Sequence, residues 1–196
     1  MKPHPVYSLL WMAAAALAVG AAIAATNVKK SPPPKPKLAV SIQPQHVADS
    51  LRAVISGHRE NYVRLSAARI ASGAQWDETS GWPAPCLMTR ADSEAAASKG
   101  VEFSFVLRSL NPVANRNAIE TEFERKALEA LQRRPDQPVY GEELLGGRWY
   151  FTAIYPEKAW HPACVTCHNQ LPQSPKRDYR TNDVLGALVI RIALEL

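Results

Sequence analysis

Val101-Glu-Phe-Ser-Phe-Val-Leu107 (VEFSFVL) puts Val101, Phe103, Phe105 and Leu107 on one side of an extended chain and Glu102 and Ser104 on the other. A period of two predicts a half-buried strand. Asn111-Pro112 breaks it, and Ala118 to Arg133, rich in Glu, Ala and Leu, predicts a helix of about four turns that stops before Pro135. Arg148 to Tyr155 (RWYFTAIY) is dense in aromatic and β-branched residues and follows Gly146-Gly147, a hairpin-type turn with Glu143 to Leu145 as partner. Val184 to Leu194 is the last strand. Upstream, Val47, Leu51, Val54, Ile55, Tyr62, Leu65 and Ile70 recur at three- and four-residue steps between Gln45 and Ser72, the pattern of a long amphipathic helix. His58 falls on the same stripe and is expected to face inward. A polar turn over Ser72 to Ser80 leads to Gly81-Trp82-Pro83-Ala84-Pro85, and a short helix is expected over Cys86 to Ala97. There is no internal repeat and no βαβ alternation. The fold class is therefore α+β, an antiparallel sheet with a long N-terminal amphipathic helix on one side.

The 196 residues allow one ordinary domain with an appendage. Val6 to Ala25 is uncharged for twenty residues, long enough to cross a bilayer, and ends in Ala22-Ile23-Ala24, a small-residue pattern that suits signal peptidase. It reads as a signal peptide or a membrane anchor. Lys29 to Lys37 (KKSPPPKPK) favours an extended polyproline rod, hence a spacer. The chain carries 23 Lys and Arg against 18 Asp and Glu, but Lys29, Lys30, Lys35 and Lys37 crowd this spacer. The rest is almost neutral, which gives no nucleic-acid signature. Three cysteines are too few for a disulfide scaffold, and an odd count leaves at least one outside any intrachain pair.

Cys164-Val165-Thr166-Cys167-His168 carries the chemistry. C-x-x-C-H is the attachment sequence for c-type haem: both thiols add across the vinyl groups, and the adjacent histidine binds iron axially. Chance would give this arrangement in roughly one sequence in a thousand. Export agrees with it, because haem is attached outside the bacterial inner membrane. A zinc site drawing on Cys164, Cys167, His161 and Cys86 lacks a second C-x-x-C or spaced His pair. A thioredoxin-like dithiol lacks its βαβ unit. The iron's second axial position has four candidates: Met88, Cys86, His58 and His161. His161 stands only seven residues before His168, too close to reach the opposite haem face.

Four stretches resemble a family of small exported domains that carry one c-type haem on a PAS-like fold, often as the extracytoplasmic sensor part of histidine kinases. They are Pro83-Ala84-Pro85-Cys86-Leu87-Met88-Thr89-Arg90; Ser109-Leu110-Asn111-Pro112 with Thr121-Glu122-Phe123-Glu124; Tyr140 to Gly147 running through Tyr150-Phe151-Thr152-Ala153; and Ala163 to Asn169 with Ser174-Pro175 and Asp183-Val184-Leu185-Gly186. The likeness spans about Val47 to Leu194. In that family the distal ligand comes from the region before the first strand and is a cysteine thiolate in some members. The methionine-bearing version of the motif aligns with Met88, so the resemblance implies His168 and Met88 as iron ligands.

The expectation is a signal peptide or anchor over residues 1–27, a Pro/Lys-rich linker over 28–38, and a PAS-like domain over 39–196 holding one covalent haem c through Cys164, Cys167 and His168. It would lie in the periplasm or on the outer face of the inner membrane, as a redox or small-ligand sensor that needs a partner protein and the haem maturation machinery. An electron-transfer cytochrome is the alternative. A haem peroxidase is less favoured, since no distal acid/base constellation is legible.

Overall fold

A computed structural model describes residues 42–71 and 83–194. The leader, the Pro/Lys-rich linker and the turn expected over Ser72 to Ser80 lie outside the described residues. The elements are α1 (Pro44–Ala71), α2 (Pro85–Ala97), β1 (Phe103–Arg108), α3 (Glu122–Arg133), β2 (Val139–Leu145), β3 (Arg148–Lys158), α4 (Pro162–Gln170) and β4 (Val184–Ala193). A one-turn 3-10 helix spans Asn115–Asn117. The strands form one antiparallel sheet in the order β1-β4-β3-β2. This is the expected α+β, PAS-like architecture. No described helix is long and apolar enough to cross a membrane.

Alternation along each strand separates two faces. Phe105, Ala153, Tyr155, Leu188 and Ile190 form one cluster with Ala48 of α1. Ile154, Ala187 and Val189 point the other way, against Ala127, Leu128 and Leu131 of α3. Each fully buried leucine there contributes roughly 1.5–3 kcal/mol. The hairpin between β2 and β3 turns at Gly146 and Gly147, with φ of 58° and 81°. Positive φ at both central residues marks a type I′ turn, which matches the twist of the strands it joins.

Two helices depart from expectation. In α1 the buried face runs through Ala48, Val63 and Ser66, whereas Val54 and Leu65 are 73% and 64% exposed. Small residues occupy the tightest positions because the helix lies close on the sheet, so a stripe drawn from large apolar residues alone is rotated away from the true face. His58 is consequently not inward: its side chain is half-exposed, and Nδ1 lies 3.1 Å from the Asp92 carboxylate of α2. The start of α3 is set by a capping box, in which the Thr121 hydroxyl accepts from the Glu124 amide and the Glu124 carboxylate from the Thr121 amide. The helix therefore begins at Glu122, not at Ala118.

Candidate functional site

Pro162 opens α4 at a position where its missing N–H costs nothing, and the His161 imidazole caps the helix by accepting from the Ala163 amide at 3.1 Å. Along that helix Cys164, Cys167 and His168 stand at i, i+3 and i+4, which places them on one face. All three line an apolar cavity of about 980 Å³, counting its open mouth. The cavity lies where β1 ends and β4 begins. Leu107 and Gly186 form part of its wall, and Asn111 to Ala114 close another side.

The four candidates for the second axial position stand differently toward the cavity wall. Cys86 lines the cavity and Met88 does not. Pro85 is the first residue of α2, so Cys86 falls in the first turn, and at about 100° per residue Met88 points some 200° away. His58 is engaged with Asp92, and His161 is spent on the α4 cap; neither lines the cavity. Sequence reasoning missed Arg59 and Glu157, which also contribute to the wall. Their only signal would have been a charged residue on the inner side of α1, visible once the small-residue face is recognised.

Burial sets the protonation of these side chains. Burial, helped by the Arg59 guanidinium, pushes the His168 pKa down and keeps the imidazole neutral, and its Nδ1 is buried without a hydrogen-bond partner. Burial pushes the Cys167 thiol up to about 11, with further contributions from the nearby Cys86 and Cys164 thiols. Cys164 is raised for the same first reason. All three cysteines are free thiols. Among the described residues, no three His, Cys, Asp or Glu side chains converge on a point where a bare metal ion could be held. The donors border an extended apolar space instead. Two thiols, a neutral imidazole with an unmet nitrogen and a third thiol from another helix fit a large, flat, iron-bearing ring such as haem.

Residues 15–193 match the model of the Tll0287-like family. The chain belongs to that family. No curated protein gives a significant match. The crystal structure of the cyanobacterial haem protein Tll0287 is similar at 15% sequence identity and a TM-score of 0.49, covering 78% of this chain and 97% of that one.

Proposed function

We propose that this Tll0287-like protein is an exported, single-haem c-type protein that serves as a redox or small-ligand sensor and passes its state to a partner protein. The observation that carries the reading is the shared face of Cys164, Cys167 and His168 on α4, opening into the large apolar cavity that Cys86 also lines. Each thiol would add across a vinyl group, its sulfur bonding to one carbon and its hydrogen going to the other, with no net oxidation. His168 would bind the iron through its neutral imidazole. We assign the distal position to Cys86 in place of Met88. Cys86 lines the cavity from another helix, and Met88 does not line it. Haem, when bound, supplies one-electron chemistry and an iron that can exchange a small ligand. The apolar wall excludes water from it.

Co-expression with the haem maturation machinery should give a haem-staining band on a denaturing gel that Cys164→Ala with Cys167→Ala abolishes; an unstained wild-type band, or stoichiometric zinc, overturns the reading. In the ferric visible spectrum, Cys86→Ala should convert low-spin to high-spin iron, while Met88→Ala should leave it unchanged. The reverse result returns the distal role to Met88. Ready CO binding by the ferrous protein supports ligand sensing, and refusal of CO favours a redox role. An alkaline-phosphatase fusion after Leu196 should be active if the domain is exported.

A further inference from the structure

Arg59 and Glu157 are the ion pair in the cavity wall. Arg59 Nε lies 3.0 Å from Glu157 Oε2, with side chains only 19% and 16% exposed. The guanidinium is held from a second side as well, since its Nη1 donates to Thr89 Oγ1 at 3.3 Å, and the buried Thr89 donates to the Pro85 carbonyl at 2.9 Å. Arg59 thus joins α1, β3 and the start of α2 at a fixed place. The same pair forms the wall of a second, polar cleft that includes Arg52, Ser56 and Trp160, so it partitions the two spaces. Arg108 also reaches the cavity, but Glu120 and Glu124 pair with it. Arg59 and Glu157 share the wall of one cavity with Cys164, Cys167 and His168.

We infer that Arg59 and Glu157 are positioning residues that set the reduction potential of the haem held by Cys164, Cys167 and His168. The inference rests on the haem reading above. In a largely apolar cavity, charges are weakly screened and act at distances where water would silence them. Reduction adds one electron to ferric iron; the pair neither gives nor takes that electron, but each member shifts its cost. A lone guanidinium in the wall favours the ferrous state, and a lone carboxylate favours the ferric state. As a pair they nearly cancel.

The test is spectroelectrochemical titration of the haem-loaded full chain with soluble one-electron mediators. Glu157→Gln should raise the midpoint potential and Arg59→Gln should lower it, each by up to about a tenfold change in the reduced-to-oxidised ratio, or 59 mV for one electron. The double variant should return close to wild type, and Arg59→Lys, which keeps the charge, should stay there. Shifts of the same sign in both single variants, or none, overturn the inference while covalent haem leaves the haem reading intact. A second readout needs no haem: in the haem-free protein, iodoacetamide should modify Cys164 several-fold faster in Glu157→Gln and more slowly in Arg59→Gln, scored by peptide mass. Equal rates in all variants would overturn the proposed field on their own. Absence of covalent haem would strike the functional reading and leave the alkylation comparison to judge the pair.

Discussion

The network under α3 and the cavity beside α4 treat buried polar atoms in opposite ways. Under α3, the Glu124 carboxylate is fully buried and every acceptor site is used. Oε1 takes hydrogen bonds from Arg108 Nε at 3.1 Å and Arg191 Nη2 at 2.8 Å, and Oε2 from the amides of Glu120 at 2.7 Å and Thr121 at 3.3 Å. Arg191 continues to Glu143, which also accepts from the Thr152 hydroxyl at 2.7 Å. Burial opposes ionisation of Glu124, yet the Glu120 amide, Arg191 and Arg108 outweigh it and hold the carboxyl below its ordinary pKa. At the cavity, by contrast, the His168 Nδ1 is unmet and three thiols are unpaired. A closed network needs nothing more and serves the fold; an open set of donors is completed by a ligand.

The sharpest way to break this contrast is Glu124→Ala. It removes the carboxylate that two buried guanidiniums share and the α3 capping box, so urea unfolding should show a loss of about 3–5 kcal/mol. The sign with pH follows from the lowered carboxyl: its contribution is complete above the ordinary carboxylate pKa of about 4.3 and is lost as pH falls through the lower folded value. The wild-type minus variant difference should therefore shrink in acid. A loss under 1 kcal/mol would mean the network is not what holds α3 to the sheet.

Gly186 should give an intermediate effect. A Cβ there would collide with the Arg108 carbonyl oxygen across the β1–β4 pair, so Gly186→Ala should cost about 1–3 kcal/mol and narrow the cavity mouth it lines. Unchanged thermal unfolding would show that the strands can separate there without penalty. The smallest effect is expected at the open end. His168→Leu in the haem-free protein removes an unmet buried nitrogen, so stability should stay within about 1 kcal/mol or rise. A loss of several kcal/mol would reassign His168 to the core.

Much of this was legible in the sequence because its signals are local. VEFSFVL gave β1 through period-two alternation, RWYFTAIY gave β3 through its aromatic and β-branched density, and Gly146-Gly147 marked the β2–β3 hairpin. C-x-x-C-H placed three side chains on one helix face because its spacing is itself helical geometry. What escaped depends on neighbours far along the chain. Ala48 and Ser66 are core residues only because the sheet comes close, and Arg59 turns inward only because Glu157, 98 residues away, is there to meet it. Which of Cys86 and Met88 lines the cavity depends on where Pro85 starts a helix, a one-residue matter that composition cannot resolve. The α3 capping box was present in Thr121 and Glu124, and the helix-forming run before it obscured the start.

Helix α4 has nine residues, none of them fully buried, and rests on a satellite cluster of Ala159, Tyr179 and Leu185. A helix this short is marginal alone. Its return path is fastened by Asn169, whose side chain donates to the Tyr179 carbonyl at 2.9 Å and accepts from the Tyr179 amide at 3.0 Å, and by the backbone exchange of Ala159 with Asn182 and Asp183 at 2.9 Å. The strands on either side pair directly, from Tyr150 with Ala193 to Lys158 with Val184. The sheet can therefore close before the attachment segment takes its final place. Under the proposed function, attachment at Cys164 and Cys167 would take place on a segment clipped to a finished scaffold, and chain folding and cofactor installation would be separable steps in the protein's biogenesis.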